Sequence, residues 1–332
     1  MINAAFLFLC GLGIFMVGLK LFSTDSNFLL GNKLNKLFKN PKCGKFSCLI
    51  IGTAVSAICQ SSGAVTAISV CLVDTGILSL VQSAAIVMGA NVGTTITAQL
   101  LALSTLKGGS MHFELILGSL SLIGAIVTVF AKKEAGKKIG FLTAGFGMIF
   151  IGLHLIGESM TFLSENKTII DFLATIKNDY LLIFIGILLT AIMQSSSGLT
   201  GIIIAMLPLG ILTVDQAIML TFGSNIGSCT VALIAGFGTN ETAKISSRFN
   251  MIFNVLGVII FMIISNVLKI FGTSFGTAIG TVFKTPQIAL SMMHTLFNVV
   301  SVIILYPFTN AIISLCEFPK RKKFAKRLKV SQ

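Results

Sequence analysis

Two short polar motifs interrupt apolar segments of this sequence, Gln60-Ser61-Ser62-Gly63 and Gln194-Ser195-Ser196-Ser197. Their serine hydroxyls can donate hydrogen bonds to anionic oxygens, and the glutamine carbonyls can face a hard cation, which prefers oxygen ligands. A glycine, Gly63 or Gly198, stands where each segment is expected to turn back. A helix that restarts after such a turn points unpaired N–H groups and its positive dipole end at the turn, which suits phosphate or carboxylate.

A second pair of motifs lies at the same offset of 134 residues, Asn91-Val92-Gly93-Thr94-Thr95 and Asn225-Ile226-Gly227-Ser228-Cys229. If the backbone unwinds there, its carbonyls could coordinate a cation in the middle of a span. The alternative is close helix packing through small residues. The duplication in register with the Gln-Ser-Ser motifs favours the ion-binding interpretation.

The repeat extends well beyond these motifs. Between residues 51 and 98, 17 of 48 positions are identical to those 134 residues later, without a gap. A long internal repeat in an apolar chain is typical of transporters built from two homologous halves.

Composition excludes an ordinary soluble domain, because 55% of the residues are hydrophobic, only 11% are charged and the mean hydropathy is +0.97. Two shorter apolar pairs, 46–76 and 180–213, are each interrupted at a Gln-Ser-Ser motif and are predicted to form re-entrant hairpins. Seven full spans are predicted, near 4–22, 80–104, 113–131, 139–160, 215–236, 248–270 and 287–312.

The net charge of +13 could indicate nucleic-acid binding, but the basic residues lie in short runs beside spans. We interpret these runs as cytoplasmic loops and a cytoplasmic tail, and the acidic segment 164–179 as external. The loop before the first Gln-Ser-Ser motif is then inside and its equivalent before the second is outside, so the halves are inverted. The basic positions are Lys33, Lys36, Lys39, Lys42 and Lys45, then Lys132, Lys133, Lys137 and Lys138, then seven cations between Lys320 and Lys329.

This topology predicts a multi-pass protein of the plasma (cytoplasmic) membrane with its N-terminus outside and its C-terminus in the cytoplasm. The first inverted repeat is expected over 1–138. The second repeat, with an additional C-terminal span, is expected over 139–316, followed by a basic tail over 317–332.

The coupling ion is expected to be Na⁺. No Asp or Glu falls in the middle of a predicted span, and proton relays in membranes usually need such groups. His294 is the best candidate for a proton relay, although it could instead be a hydrogen-bonded packing residue. Neutral oxygen ligands are plentiful by comparison.

At these motifs the sequence resembles the Na⁺/phosphate cotransporter family, the type II cotransporters and their bacterial relatives. The duplicated Gln-Ser-Ser and Gly-x-Asn-x-Gly motifs carry the resemblance, together with His294-Thr295-Leu296-Phe297-Asn298. It covers about residues 5–312. It implies an all-α integral membrane fold of two inverted-topology repeats, each with a re-entrant helical hairpin and a broken transmembrane helix.

The resemblance also implies import of inorganic phosphate coupled to Na⁺ by alternating access, with no cofactor beyond the ion and, by analogy, a homodimer. Na⁺ ligation is expected at Gln60, Gln194, Asn91 and Asn225. The full set of expected substrate- and ion-binding residues is Gln60, Ser61, Ser62, Thr66, Asn91, Thr94, Thr95, Gln194, Ser195, Ser196, Ser197, Thr200, Asn225, Ser228, Asn254, His294 and Asn298.

Three positions depart from the family pattern. Gly63 replaces the third serine of the first motif, which removes one hydroxyl. Ser228-Cys229 stands where Thr-Thr or Thr-Ser is usual, and Asn250 stands where a histidine is common. Substrate identity or ion stoichiometry could therefore differ from the family's.

Other functions remain open on sequence grounds. An enzyme would need a base beside Ser61 or Ser195, but His294 has no counterpart in the first half, so we predict no enzymatic activity. A passive anion channel would keep the motifs without alternating access. A cotransporter for another small oxyanion or carboxylate, or one coupled to H⁺, is the remaining alternative, because helix N-termini discriminate poorly among anions.

Overall fold

The structure, a computed structural model, describes residues 2–38, 44–105, 117–165 and 175–317, with side chains from residue 3 to 22, 44 to 105, 117 to 159 and 175 to 317. All regular elements in these ranges are helical. They are α1 (Ile2–Phe38), α2 (Lys45–Cys59), α3 (Ser62–Asp74), α4 (Leu80–Ser104), α5 (Leu120–Phe130), α6 (Glu134–Glu165), α7 (Asp179–Met193), α8 (Ser196–Met206) with a 3-10 turn at Leu207–Leu209, α9 (Val214–Gly227), α10 (Cys229–Ala235), α11 (Glu241–Ile270), α12 (Phe275–Val282), α13 (Pro286–Leu305) and α14 (Thr309–Cys316).

Within the described ranges, six segments are long and apolar enough to cross a membrane. They confirm six of the seven predicted positions. They are Asn3–Phe22, Leu80–Ser104, Glu134–Ser159, Val214–Ala235, Glu241–Ile270 and Pro286–Leu305.

Two predicted spans differ from the helices in the structure. In place of the predicted span 113–131 the structure has the shorter α5, and residues 106–116 lie outside the described part. The predicted span 287–312 is wrong at its end, because α13 stops at Leu305 and α14 starts at Thr309. Pro307 lacks the N–H that would bond to Ile303, and its ring would clash with that carbonyl.

The prediction of a lysine-rich loop before the first motif is also partly wrong. Helix α1 continues to Phe38, so Lys33 and Lys36 lie on a helix. No proline occurs after Phe22 until Pro41, so the sequence contains no strong helix breaker there. Lys39 and Lys42 lie outside the described residues, as do the tail after Glu317 and most of the acidic segment 164–179.

Helices α1 and α6, which correspond to each other in the repeat, pack directly together at glycines. A Cβ atom added to Gly18 would lie 2.7 Å from Ile149 N, and one added to Gly145 would lie 2.7 Å from Phe22 N. The two backbones are therefore in contact along this interface, as small residues permit in membrane proteins.

The helices that lead into the two Gln-Ser-Ser motifs, α2 and α7, are packed in the same way in both halves. In each half a helix that leads into a Gln-Ser-Ser motif lies against the helix that carries the Asn motif, at glycines whose Cβ atoms would overlap the facing backbone. In the first half Gly52 meets Ile86 O and Gly89 meets Leu49 O; in the second, Gly186 meets Leu220 O and Gly223 meets Ile183 O. Every one of these positions is offset by 134 residues from its counterpart.

The helices that carry the second motif differ between the halves. The prediction of a broken helix is wrong for the first half, because α4 runs without interruption through Asn91, Thr94 and Thr95. Their side chains donate to carbonyls of the same helix, Val87, Ala90 and Val92 respectively. These polar side chains therefore have hydrogen-bond partners within an intact helix, and the helix does not need to unwind to satisfy them. In the second half α9 gives way to α10 at Ser228, but Ser228 keeps helical dihedral angles and its N–H donates to Ser224 O (2.9 Å), so the irregularity is confined to one residue.

Phenylalanine rings hold α9, α11 and α13 together in the core. The centroid of Phe222 lies 4.8 Å from that of Phe297 and 5.7 Å from that of Phe261, and the last two are 5.0 Å apart. All three side chains are almost fully buried. This packing fixes the helices that carry Asn225, Asn254 and His294.

Candidate functional site

Each Gln-Ser-Ser motif forms a tight turn between two helices. Helix α2 ends at Cys59 and α3 begins at Ser62, and the turn is made by Gln60, which has φ of 50°. Gln194 has φ of 51° at the equivalent turn between α7 and α8. This left-handed conformation is uncommon for a residue with a Cβ atom.

The turn is therefore not at the glycine that the sequence suggested. Gly63 and Gly198 lie inside the first turns of α3 and α8. A serine before each of these helices explains the position of the turn, because Ser61 Oγ accepts from Ala64 N (3.2 Å) and Ser195 Oγ accepts from Gly198 N (3.0 Å). Such N-caps fix where a helix begins.

The two turns meet at one cavity of about 280 Å³, counted to include its open mouth. Residues 134 positions apart in sequence thus face the same space. The cavity is lined by Gln60, Ser61, Ser62, Gly63, Gln194, Ser195, Ser196, Ser197, Ser228 and Val231.

The cavity suits a small anion. Among the described residues that line it there is no charged side chain, and there are many hydroxyl and amide groups. The first turns of α3 and α8 both lie at it, and the leading N–H groups of a helix, with the positive end of its dipole, favour negative charge. Serine hydroxyls add donors that can rotate toward anionic oxygens.

Several predicted site residues do not line this cavity. Thr66 is buried and donates to Gly63 O (3.0 Å), and Thr200 is buried one turn after Ser196. Thr94 lies at the α2–α4 interface, with Ser56 Oγ 3.3 Å from its Oγ1. Asn91 and Thr95 are buried in α4. The four predicted Na⁺ ligands are therefore divided, since Gln60 and Gln194 line the cavity but Asn91 and Asn225 do not.

The remaining predicted residues form a buried polar group around α9, α11 and α13. His294 Nε2 lies 3.3 Å from Asn225 Oδ1, and Asn254 Nδ2 donates to Asn250 O (2.9 Å). Asn298 Nδ2 donates to His294 O (3.0 Å). At least 96% of each of the four predicted side chains, Asn225, Asn254, His294 and Asn298, is shielded from solvent.

Two residues of these groups were missed by sequence reasoning. Val231 lines the cavity, and a Cβ atom on Gly63 would lie 3.3 Å from its side chain. Ser301 is buried next to Asn298 on the same face of α13. Spacing could have indicated Ser301, because it lies three residues after Asn298, but an isolated valine gives no such signal.

The comparisons with known proteins agree with this arrangement. A sequence model described as Na⁺/Pi-cotransporter matches residues 14–158 and 164–295, most of the chain. The chain belongs to this family. It is therefore related to membrane transporters rather than enzymes, which confirms the resemblance seen in the motifs. No solved structure matches the chain.

Three relatives illustrate the range of the family. The chain is 30% identical to the uncharacterized protein YqeW of Bacillus subtilis, over 61% of this chain and 65% of the relative. It is 26% identical to YjbB of Escherichia coli, provisionally named an inorganic phosphate export protein, over 61% and 36%. It is 21% identical to sodium-dependent phosphate transport protein 2A of Rattus norvegicus, over 76% and 57%. The chain thus spans less than two thirds of the length of each.

Proposed function

We propose that this protein is a secondary transporter that imports inorganic phosphate together with Na⁺. The observation that carries the proposal is the single cavity shared by the two Gln-Ser-Ser turns. A cavity made from equivalent parts of two repeats is the usual location of the substrate in repeat-built transporters. The names of the rat and Escherichia coli relatives support phosphate as the substrate.

Phosphate would lie between the N-termini of α3 and α8. The backbone N–H groups there, with the hydroxyls of Ser61, Ser62, Ser195 and Ser196, would donate to its oxygens. Ser228 would reach the anion from the junction between α9 and α10, with its hydroxyl turned away from Asn225 O. Thr66 and Thr200 would act by supporting these helices rather than by contact.

Na⁺ coupling would make import of an anion possible. Moving a divalent anion into a cell costs about 4.6 kcal/mol per 100 mV of negative-inside potential. Two or more cations moving with it would neutralise that charge. Within the described residues no buried side chain is an Asp, Glu, Lys or Arg, which favours Na⁺ held by neutral oxygens over H⁺ held by a carboxylate.

The architecture we propose has two inverted repeats, 1–138 and 139–316, with α2–α3 and α7–α8 as re-entrant hairpins. Their helices contain 15, 13, 15 and 11 residues, which is short for a full crossing of the bilayer. The hairpins would move together against the remaining helices, exposing the cavity to each side in turn. The N-terminus would be outside, the tail 317–332 in the cytoplasm, and the protein a homodimer.

Uptake into proteoliposomes tests the transport function. We expect radiolabelled phosphate to accumulate with an inward Na⁺ gradient and not with an equal choline gradient. Gln60→Ala and Gln194→Ala should each lose most uptake. Ile58→Ala and Ile192→Ala are matched controls, because each lies two residues before a glutamine and is more than half exposed. Equal uptake in both gradients would contradict Na⁺ coupling.

Export is a second candidate direction, favoured by the name of the Escherichia coli relative. The same proteoliposomes can be loaded with phosphate and given an outward Na⁺ gradient. A reversible cotransporter follows the Na⁺ gradient in either direction. Efflux that ignores the gradient would instead favour an exporter or a passive anion channel.

Thiol labelling tests the inverted topology. Thr75 and Leu209 are equivalent positions just after the two proposed hairpins; Thr75 is exposed and Leu209 is half-buried. With accessible native cysteines such as Cys71 replaced, Thr75→Cys should react with an impermeant maleimide only from the cytoplasmic side, and Leu209→Cys only from the outside. Labelling of both from one side would rule out inversion.

A further inference from the structure

Three polar side chains form a stripe along one buried face of α13. His294, Asn298 and Ser301 follow one another at intervals of four and three residues, which places them on the same side of a helix. They are exposed by only 3%, 0% and 1%. Each has one buried atom without a hydrogen-bond partner, namely His294 Nδ1, Asn298 Oδ1 and Ser301 Oγ.

Helix α11 contributes a fourth such atom. Gly257 faces the stripe, since a Cβ atom there would lie 2.8 Å from Ser301 Oγ. One turn earlier is Asn254, which is 1% exposed and whose Oδ1 also lacks a partner.

The four buried atoms without a hydrogen-bond partner are mainly acceptors. The amide nitrogens of Asn254 and Asn298 already donate to backbone carbonyls, which leaves their oxygens free. Asn225 Nδ2 donates to Thr221 O, so Asn225 Oδ1 is available to accept from His294 Nε2. His294 Nδ1 is then an unprotonated acceptor. Together with the hydroxyl oxygen of Ser301, these atoms need a positively charged or donating partner.

We propose that Asn254 Oδ1, Asn298 Oδ1 and Ser301 Oγ hold one Na⁺ between α11 and α13, with water completing its coordination. Burying polar atoms without a partner is costly, and three such atoms on one face of α13, with a fourth on α11 one turn before the residue that faces Ser301, point to a ligand. Hard cations take oxygen ligands. This inference deepens the proposed Na⁺ coupling and rests on it, and it adds Ser301 and a location apart from the hairpin cavity.

A monovalent cation fits this donor set better than a divalent one. Sites for Ca²⁺ and Mg²⁺ normally include carboxylates, which offset the cost of removing the ion from water. In the part of the chain that the structure describes, no buried Asp or Glu occurs and no three His, Cys, Asp or Glu residues cluster to hold a metal. Removing a single charge from water costs less than removing two, so neutral ligands favour a monovalent ion here.

Helix α9 connects this site to the anion cavity. Asn225 contacts His294 at the stripe, and three residues later Ser228 lines the cavity and donates to Asn225 O (2.8 Å). A cation at the stripe and an anion at the cavity would each favour the same position of this segment. Binding of either should then strengthen binding of the other by the same factor.

Serine substitutions provide a matched test. Ser301→Ala removes a hydroxyl that has no partner, whereas Ser291→Ala removes one on the same helix that donates to Gln99 Oε1 (3.1 Å) and lies 3.0 Å from Ile288 O. Both serines are fully buried. Asn298→Leu is a second site variant. Thermal unfolding can be followed with a fluorogenic maleimide, which reacts as buried thiols such as Cys59 become exposed.

The measurement is the Na⁺ concentration that gives half of the Na⁺-specific rise in unfolding temperature, with choline replacing Na⁺ and no phosphate present. We expect Ser301→Ala and Asn298→Leu to raise it about tenfold, as for loss of a contact with a charged partner, and Ser291→Ala to leave it unchanged. Unchanged midpoints in both site variants would overturn the proposal. Equal stabilisation of the wild type by Na⁺ and by choline would also overturn it, because that result is expected if the stripe holds only water.

Uptake measurements separate this proposal from the proposed function. If wild-type uptake is driven by Na⁺ but both variants keep the wild-type midpoint, the site is wrong and the function stands. If uptake ignores Na⁺ while the variants shift the midpoint, the site stands and the coupling is wrong.

Discussion

The two halves share the packing that holds their hairpins but differ at the helix that faces the cavity. In the first half α4 is continuous, and Thr94 is paired with Ser56 in the α2–α4 interface. In the second half α9 gives way to α10 at Ser228, which lines the cavity, and Thr190, the counterpart of Ser56, pairs with Ser224 instead.

This difference separates what the repeat preserves from what it changes. The close glycine contacts and left-handed glutamines are the same in both copies, so they hold the hairpins. The cavity is asymmetric, because Ser228 and Val231 line it and their equivalents Thr94 and Thr97 do not. If the cavity binds the substrate as proposed, specificity should depend more on the second half than on the first.

The largest expected effect comes from filling the shared glycine contacts. Gly89→Ala and Gly223→Ala each place a methyl group into a facing carbonyl oxygen, of Leu49 and Ile183 respectively. Each should cost about 1–3 kcal/mol or more and strongly reduce the yield of monodisperse protein on size exclusion. Gly13→Ala, where a Cβ atom meets nothing within 4 Å, is the control. If only one of the two glycine variants lowers the yield, the packing is not equivalent in the two halves.

A smaller effect should distinguish the two equivalent hydroxyls Ser228 and Thr94. Ser228→Ala should raise the KM for phosphate about tenfold with little change in stability, because the Ser228 hydroxyl would turn from Asn225 O to donate to the bound anion, and that hydrogen bond to a charged group is lost. Thr94→Val should lower the free energy of unfolding by about 1 kcal/mol and leave KM unchanged, because it breaks a buried hydroxyl pair. Proteoliposome kinetics and thermal unfolding measure the two quantities. The opposite pattern would place the substrate nearer to α4.

The smallest effect is expected from making the two motifs alike. Gly63→Ser restores the hydroxyl present at Ser197, and its Cβ atom would lie 3.3 Å from the side chain of Val231, which can adjust. We expect a cost of at most about 1 kcal/mol and a KM for phosphate within about threefold of wild type. Loss of transport would show that the glycine is required at this position.

Much of this arrangement could be predicted from the sequence. The repeat at an offset of 134 located both turns between helices at the Gln-Ser-Ser motifs, and apolar length located six of the spans. The position of these turns followed from the polar motifs, because an apolar span otherwise avoids them. These features depend on local composition and register, which a sequence shows directly.

Other features depend on contacts that the sequence does not show. The turn lies at Gln60 rather than Gly63 because Ser61 caps the next helix. Helix α4 stays intact because the side chain of Asn91 bonds within its own helix. The separation of the predicted site residues into a cavity and a buried polar group follows from tertiary packing.

The central claim is that both Gln-Ser-Ser turns form one anion site, and the stoichiometry of phosphate binding tests it most directly. Equilibrium binding of radiolabelled phosphate to the purified protein in nanodiscs, with saturating Na⁺, should give one phosphate per chain. Gln60→Ala and Gln194→Ala should each raise the Kd of this one site while the stoichiometry stays at one phosphate per chain. Two phosphates per chain, with each variant removing one of them, would contradict the account.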